Sequence, residues 1–354
     1  MSDSLTRRTW LQTGVAALAS PWMTASARET GVLGFRLIET AGLHRTAESV
    51  STVVPWPEPS TRLGLFCDGR PVGCQFRPWE ALGHPPLRRL DFLATMGPNQ
   101  VQRYEVRPQN GEPRPAPGSD LSLETTPDSY RVARDGVETF EVSRNLHGLF
   151  RSIGPARLPY HDGESPGLFL QGADDARTSA VPEGASPRVT VDREGPFAIG
   201  LRFAWSHASG AESNLSLTFP VSHSLVGVRW TISGSAPTLR AIGLELRLRL
   251  DRPSSEIEGN SGPRPRWATL EDRERRVQAV ALPGLEGLNP ELTLTDDGRV
   301  RVSHRLRTGT DVPSMLACWF GFEPTTTPPR DRISVRALRE PLRVLWDENR
   351  AGSL

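Results

Sequence analysis

The segment LELRLRL, from Leu244 to Leu250, changes from apolar to charged at every step. Side chains of a strand point to opposite faces in turn, so Leu244, Leu246, Leu248 and Leu250 fall on one face and Glu245, Arg247 and Arg249 on the other. A helix would scatter the same leucines around its circumference. The pattern predicts a strand with one buried face and one wet face. Similar runs are FRLIE, RLGLFC, RLDFLAT, VQRYEVR, YRVAR, TFEVS, RVTVD, FAIGLRFAW, NLSLTF, GVRWTI, VQAVAL, VRVSHRLR, MLACWFGF and RISVRAL. Turn clusters such as DDGR and RDGV separate them, and the 32 Gly and 32 Pro make turns frequent and long helices few. The alternation of strand and helix that builds a parallel sheet is missing. The expectation is an all-β chain, with a small N-terminal β-barrel-like domain followed by a larger antiparallel β-sandwich.

The boundary between the two is RPQNGEPRPAPGSD, Arg107 to Asp120, whose prolines cannot donate to a sheet ladder. It places the small domain at about 30–110 and the sandwich at about 119–347. Two further breaks, SPGLFLQGADDARTSAVPEGASP and DRPSSEIEGNSGPRPRW, read as long loops of the sandwich, where binding residues concentrate.

At the N-terminus, TRRTWLQTGVAALASPWMTASA has a positive start at Arg7 and Arg8, a short apolar segment and the small-residue triplet Ala25-Ser26-Ala27. The apolar run is interrupted by Gln12, Thr13, Gly14, Ser20 and Pro21, too soon to span a bilayer. The order resembles a bacterial twin-arginine signal, an address read by a receptor and used for folded cargo. Residues 1–27 are therefore expected to be a signal peptide, with the mature protein periplasmic or secreted. Without them the chain carries 40 basic and 40 acidic residues, and a balanced charge gives no one-sided basic field for nucleic acid. All 42 basic residues are Arg, which excludes a Walker A loop, a pyridoxal Schiff base and a Ser-Lys dyad.

Cys67, Cys74 and Cys318 have no metal-binding or redox spacing. Cys67 and Cys74 flank the turn-like DGRP. A hairpin turning at Gly69-Arg70 would pair Cys67 with Val72 and Cys74 with Leu65, leaving the sulfurs out of register for a bridge.

Three successive segments, ETAGLHRTAESVSTVVPWPEP, LGLFCDGRPVGCQFRPW and LRRLDFLATMGPNQVQRYEV, carry a G-x-x-R-x-x-x-x-V element, a d-G-x-P-V-x-x-Q hairpin and a y-x-V strand. Together they resemble the N-terminal barrel of exo-acting rhamnogalacturonan lyase-like proteins. SYRVARDGVETFEVSRNLHGLFRSI continues the likeness, and SNLSLTFPVSHSLVGVRWTI resembles the large sandwich of mutarotase-like and polysaccharide-lyase proteins. The resemblance implies a carbohydrate-associated β-fold with a polysaccharide or oligosaccharide as partner. Those enzymes also carry a helical toroid with much of the cleft, and no series of helical hairpins is present in this sequence, so the lyase activity does not come over with the fold.

Proton abstraction beside a uronate needs a base and a positive group. One loop, ARLPYHDGES, gathers such groups: Arg157, Tyr160, His161, Asp162 and Glu164. Tyr160 and His161 are the candidate catalytic pair and Arg157 a candidate binding residue, against the plainer reading of a solvated turn. Trp56 and Trp79 stand in proline-flanked contexts where an exposed ring could stack on a sugar, whereas rings of this size also close the ends of small barrels. Asp174-Asp175 and Asp296-Asp297 supply too few oxygen ligands for calcium. No metal or cofactor is expected. The sequence leaves a noncatalytic glycan- or enzyme-binding β-protein beside a small lyase-like or mutarotase-like enzyme acting on an acidic saccharide.

Overall fold

The computed structural model describes residues 31–347 except 55, 57–60, 80–86, 110–120, 155–166, 173, 235–238, 248–252, 260–264, 273–276, 284–290, 295–298, 306–313 and 325–340. The described residues are all-β and antiparallel, with no helix among them. They fall into two compact units. One comprises the chain up to Ser119 and from Ile333 onward; the other is Asp120–Arg332.

The first unit opens with β1 (Leu33–Ile38), β2 (Arg45–Val54), β3 (Leu63–Cys67), β4 (Arg70–Val72), β5 (Cys74–Trp79), β6 (Leu87–Met96) and β7 (Val101–Pro108). The second unit then runs through β8 (Leu121–Thr125), β9 (Ser129–Arg134), β10 (Val137–Ser143), β11 (Phe150–Ile153), β12 (Gly167–Gly172), β13 (Arg177–Ser179), β14 (Arg188–Arg193), β15 (Ala198–Ser206), β16 (Glu212–Pro220) and β17 (Val226–Ser233). It continues as β18 (Leu239–Arg247), β19 (Pro253–Gly259), β20 (Pro265–Asp272), β21 (Val277–Pro283), β22 (Glu291–Leu294), β23 (Arg299–Arg305) and β24 (Ser314–Pro324). The chain then returns to the first unit as β25 (Arg343–Trp346).

In the first unit a five-stranded sheet, β25-β1-β7-β3-β4, and a three-stranded sheet, β2-β6-β5, share one core. Alternate residues of each strand supply it: Phe35 and Leu37, Leu63 and Leu65, Leu90 and Phe92, Tyr104 and Val106. Phe35 stacks on Tyr104 with ring centroids 5.2 Å apart. The last strand corrects the expected boundary at 347. It pairs with β1 from Phe35 opposite Trp346 to Ile38 opposite Arg343. Val344 and Trp346 turn inward, with the Trp346 ring 4.9 Å from that of Phe35, because β1 has an open edge that only a distant segment can close.

The β3–β4 turn corrects the expected register: it centres on Asp68-Gly69, one residue earlier than Gly69-Arg70. Asp68 and Gly69 take the two central positions with φ of 49° and 77°, so Leu65 faces Val72 and Cys67 faces Arg70. Two left-handed residues match the twist of the flanking strands. After Gly73 the chain changes sheets, and Cys74 pairs with Phe92 on β6. All three cysteines are thiols; burial pushes Cys74 up to about 11 and Cys318 up to about 12.

The second unit holds a four-stranded meander, β11-β10-β9-β8, a five-stranded sheet, β13-β12-β18-β23-β22, and an eight-stranded sheet, β14-β15-β16-β17-β24-β21-β20-β19. One core draws on all three: Val132, Phe140 and Phe150 from the meander, Leu168, Ile242, Leu244 and Leu246 from the five-stranded sheet, and Leu201, Phe203, Leu215, Leu217 and Trp230 from the largest. Strand positions predict that Trp205, Trp230 and Trp319 are core; Trp205 and Trp230 are buried in it, whereas Trp319 is half-buried. The opposite face of β18 departs from its pattern. Arg247 is exposed, but Glu245 is only 3 % exposed rather than wet, because two arginines enclose it.

Candidate functional site

Ile242, Leu244 and Leu246 of β18 enter the core, so Glu245 stands on the far side of the five-stranded sheet. Register sets it opposite Gly167 of β12 and opposite Arg301 of β23. Arg301 Nε donates to Glu245 Oε2 at 2.7 Å, and Arg177 Nη1, from edge strand β13, donates to the same oxygen at 3.4 Å. The Arg177 guanidinium also lies 5.4 Å from the centroid of the buried Phe169 ring. Beyond it, Arg240 Nη1 and Gln171 Nε2 both donate to Asp175 Oδ1, at 2.6 and 3.1 Å. At the centre of the cluster, among the described residues, two guanidinium groups share one carboxylate. Its chemistry is that of anion recognition by guanidinium forks.

Gly167 is held at φ +70°, where a Cβ would come within 2.8 Å of the backbone of Gly148. Only glycine satisfies both the left-handed backbone and that approach. Because Gly167 pairs with Glu245, this restriction fixes where the chain enters the sheet beside the arginine pair.

A second polar group sits at the β15–β16 hairpin. His207 Nε2 and Ser213 Oγ are 2.7 Å apart, and Trp230 Nε1 donates to the same hydroxyl at 3.2 Å. Ser213 is fully buried and its oxygen already serves the indole, so this serine is a packing element rather than a nucleophile. Burial lowers the basicity of His207, against an opposing pull from Glu212. Sequence reading missed the pair, although the hairpin closing Ser206 against Glu212 brings positions 207 and 213 to one end.

The third group is a clamp. Arg134 donates through Nη2 to the carbonyls of Pro220 and His223, at 2.7 and 2.6 Å, and through Nη1 to that of Val221. Enclosure and the nearby Arg134 charge push His223 down to about 3, while the Leu225 N–H donated to its Nδ1 binds the ring in place. His223 is a neutral structural imidazole.

Of the residues singled out from the sequence, Arg157, Tyr160 and His161, with Asp162 and Glu164, lie outside the described residues. So do Asp296-Asp297 and residues 1–30. The Trp79 side chain is also outside them, although its backbone pairs with Leu87. Trp56 is a correction: its ring is 4 % exposed and belongs to the first unit's core, which leaves no face for a sugar. A large ring beside the apolar end of β2 gains more from that core than from solvent. Asp174 Oδ1 accepts from the Ala176 N–H, a local turn bond, and Asp175 holds Arg240. Among the described residues no group of three His, Cys, Asp or Glu side chains is arranged to hold a metal, and no helix is long and apolar enough to cross a membrane.

The geometry defines an antiparallel all-β protein whose larger unit bears an arginine-rich sheet face. No protein-family model matches the chain, and no curated protein matches it in sequence. Solved structures do match in fold. One is a protein in glycosyl hydrolase family 38 from Enterococcus faecalis, with a TM-score of 0.60 at 11 % identity, covering 94 % of this chain and 49 % of that one. Another is an alpha-mannosidase from Enterococcus faecalis V583, with a TM-score of 0.54 at 10 % identity, covering 92 % of this chain and 47 % of that one. The chain spans about half the length of each. These likenesses show the fold; they do not show the rhamnogalacturonan lyase family that the sequence motifs resemble.

Proposed function

We propose that this chain is an exported, noncatalytic carbohydrate-associated β-protein that binds a glycan. The observation that carries this reading is the fold shared over nearly the whole chain with a family 38 glycosyl hydrolase and an alpha-mannosidase, of which it spans about half. The described polar clusters support binding over turnover. Ser213 is buried and bonded, His223 is enclosed, and Glu245 anchors two arginines. Export by the twin-arginine route completes the proposal and rests on Arg7, Arg8 and the triplet Ala25-Ser26-Ala27.

A second reading, a small enzyme acting on an acidic saccharide, has one observation in its favour. The segment containing Arg157, Tyr160 and His161 leads into β12 at Gly167, the register partner of Glu245. One experiment separates the two: the mature protein is screened against neutral and acidic polysaccharides for binding and for release of unsaturated or reducing ends. Binding without product is the expected result. Turnover that disappears on Tyr160→Phe and His161→Ala would install the enzyme instead.

A further inference from the structure

We propose that Arg177 and Arg301 form a recessed oxyanion site, which takes a carboxylate or a sulfate ester carried on a saccharide. This rests on the glycan-binding reading above and names the chemical class of the glycan.

Each arginine spends one N–H on Glu245 Oε2, Arg301 through Nε and Arg177 through Nη1. The Nη1 and Nη2 groups of Arg301, and the Nε and Nη2 of Arg177, have no hydrogen-bond acceptor among the described residues. Among the described residues Arg301 has no buried nitrogen left without a partner, and the Arg177 side chain is 39 % exposed. A guanidinium presents its donors as a planar fork matched to the two oxygens of a carboxylate or to adjacent oxygens of a sulfate.

Charge and burial point the same way. Among the described residues, two arginine cations share the single Glu245 carboxylate, an excess of positive charge at that point. The side chains of Glu245 and Arg301 are only 3 % and 17 % exposed, while that of Arg177 is 39 % exposed. Attraction for an arriving anion is stronger in such a recess than on an open surface. Arg301 is the fixed arm, held by a 2.7 Å bond from a central strand; Arg177 is the looser arm, on an edge strand. Along β23, Arg299, Arg301 and Arg305 occupy alternate positions with Ser303, and Arg299 lies opposite Arg247 in register. Glu245 holds the two forks at one point. An anion between them takes up the donors that Glu245 leaves unused.

The test is calorimetric titration of the mature protein with three oligosaccharides of similar length: a uronate oligomer, a sulfated oligomer and a neutral mannose oligomer. One anionic ligand should bind about tenfold or more tighter than the neutral one, since a charge-assisted fork is worth that much. Which anionic ligand binds tells carboxylate from sulfate. Arg177→Gln should abolish the preference and leave neutral binding intact. Arg301→Gln leaves Glu245 short of a partner, so it is made with Glu245→Gln, and circular dichroism checks that the pair still folds. An anionic preference that persists in both variants overturns the site. Equal affinity for all three ligands overturns the site but keeps glycan binding, and binding of none overturns both.

Discussion

Glu39 and Arg45 meet at 3.0 Å with both side chains fully withdrawn from solvent. The same carboxylate accepts the backbone N–H groups of Ala41, Leu43 and Asn99, and Arg45 also holds Glu48 at 2.9 Å. One ion pair therefore ties the β1–β2 connection to the β6–β7 turn. Gly42, at φ 67°, and the buried Val50 complete the G-x-x-R-x-x-x-x-V element read from the sequence. The motif is a device for closing this end of the fold, and its arginine is structural.

Arg45→Met should consequently destabilise the first unit by about 3 kcal/mol or more, because the substitution strands a buried carboxylate. Denaturant unfolding measures it. A loss below about 1 kcal/mol, the scale of a surface ion pair, would mean that Glu39 finds other solvation.

The same carboxylate predicts part of the acid response. Burial pushes Glu39 up, but the hydrogen bonds from Asn99, Arg45, Ala41 and Leu43 outweigh it and hold the group near 2, against an ordinary 4.5. A depressed carboxylate contributes stability that is complete above its unfolded pKa, so this contribution fades as pH falls from about 4.5 toward 2. His223 acts in a higher window. Its pKa falls from 6.5 to about 3, so the unfolded chain takes up the proton first and stability declines as pH drops from 6.5 toward 3. Glu39→Gln should flatten the lower limb and His223→Gln the upper one in melting curves taken across this range. NMR should show the His223 ring still neutral at pH 5.

Period-two alternation made the strands legible because each needs only its own residues to show which face is buried. Leu244 and Leu246 meet that expectation, and Trp205 and Trp230 follow from their strand positions. What alternation cannot show is who lies across the ladder. The burial of Glu245 depends on Arg301, 56 positions away, and on Arg177, 68 positions away. The place of β25 beside β1 is equally non-local. Trp56 failed for a related reason: flanking prolines mark a break in the ladder and say nothing about which way the ring between them turns.

A cross-strand pair in the eight-stranded sheet gives a packing test. Gly227 of β17 lies opposite Trp319 of β24, and a Cβ at Gly227 would sit 2.9 Å from the indole ring. The ring also meets His223 edge-on at 5.2 Å, which limits how far it can retreat. Gly227→Ala should cost about 1–3 kcal/mol through overpacking. Adding Trp319→Leu should return part of that loss, a coupling that a double-mutant cycle reads directly. Additive effects would show that the ring moves aside without resistance.

β25 covers the outer edge of β1, bonds the Asp347 N–H to the Gly34 carbonyl at 2.9 Å, and places Trp346 against Phe35. Asp347 also approaches Arg36 and Arg103, each at 3.5 Å, but these exposed pairs add little. Most of the stabilisation comes from the ladder and the ring. Trp346→Ala should cost about 2 kcal/mol, less than for a fully buried aromatic because this ring is half-buried. Removal of residues 341–354 should go further, leaving β1 as a bare edge with Phe35 uncovered. Hydrogen exchange then distinguishes causes. The amides of Leu33–Ile38 that face β25 should lose protection in the truncated chain, while those facing β7 keep theirs. Unchanged protection along β1 would mean that the C-terminal strand is dispensable and that the first unit closes without it.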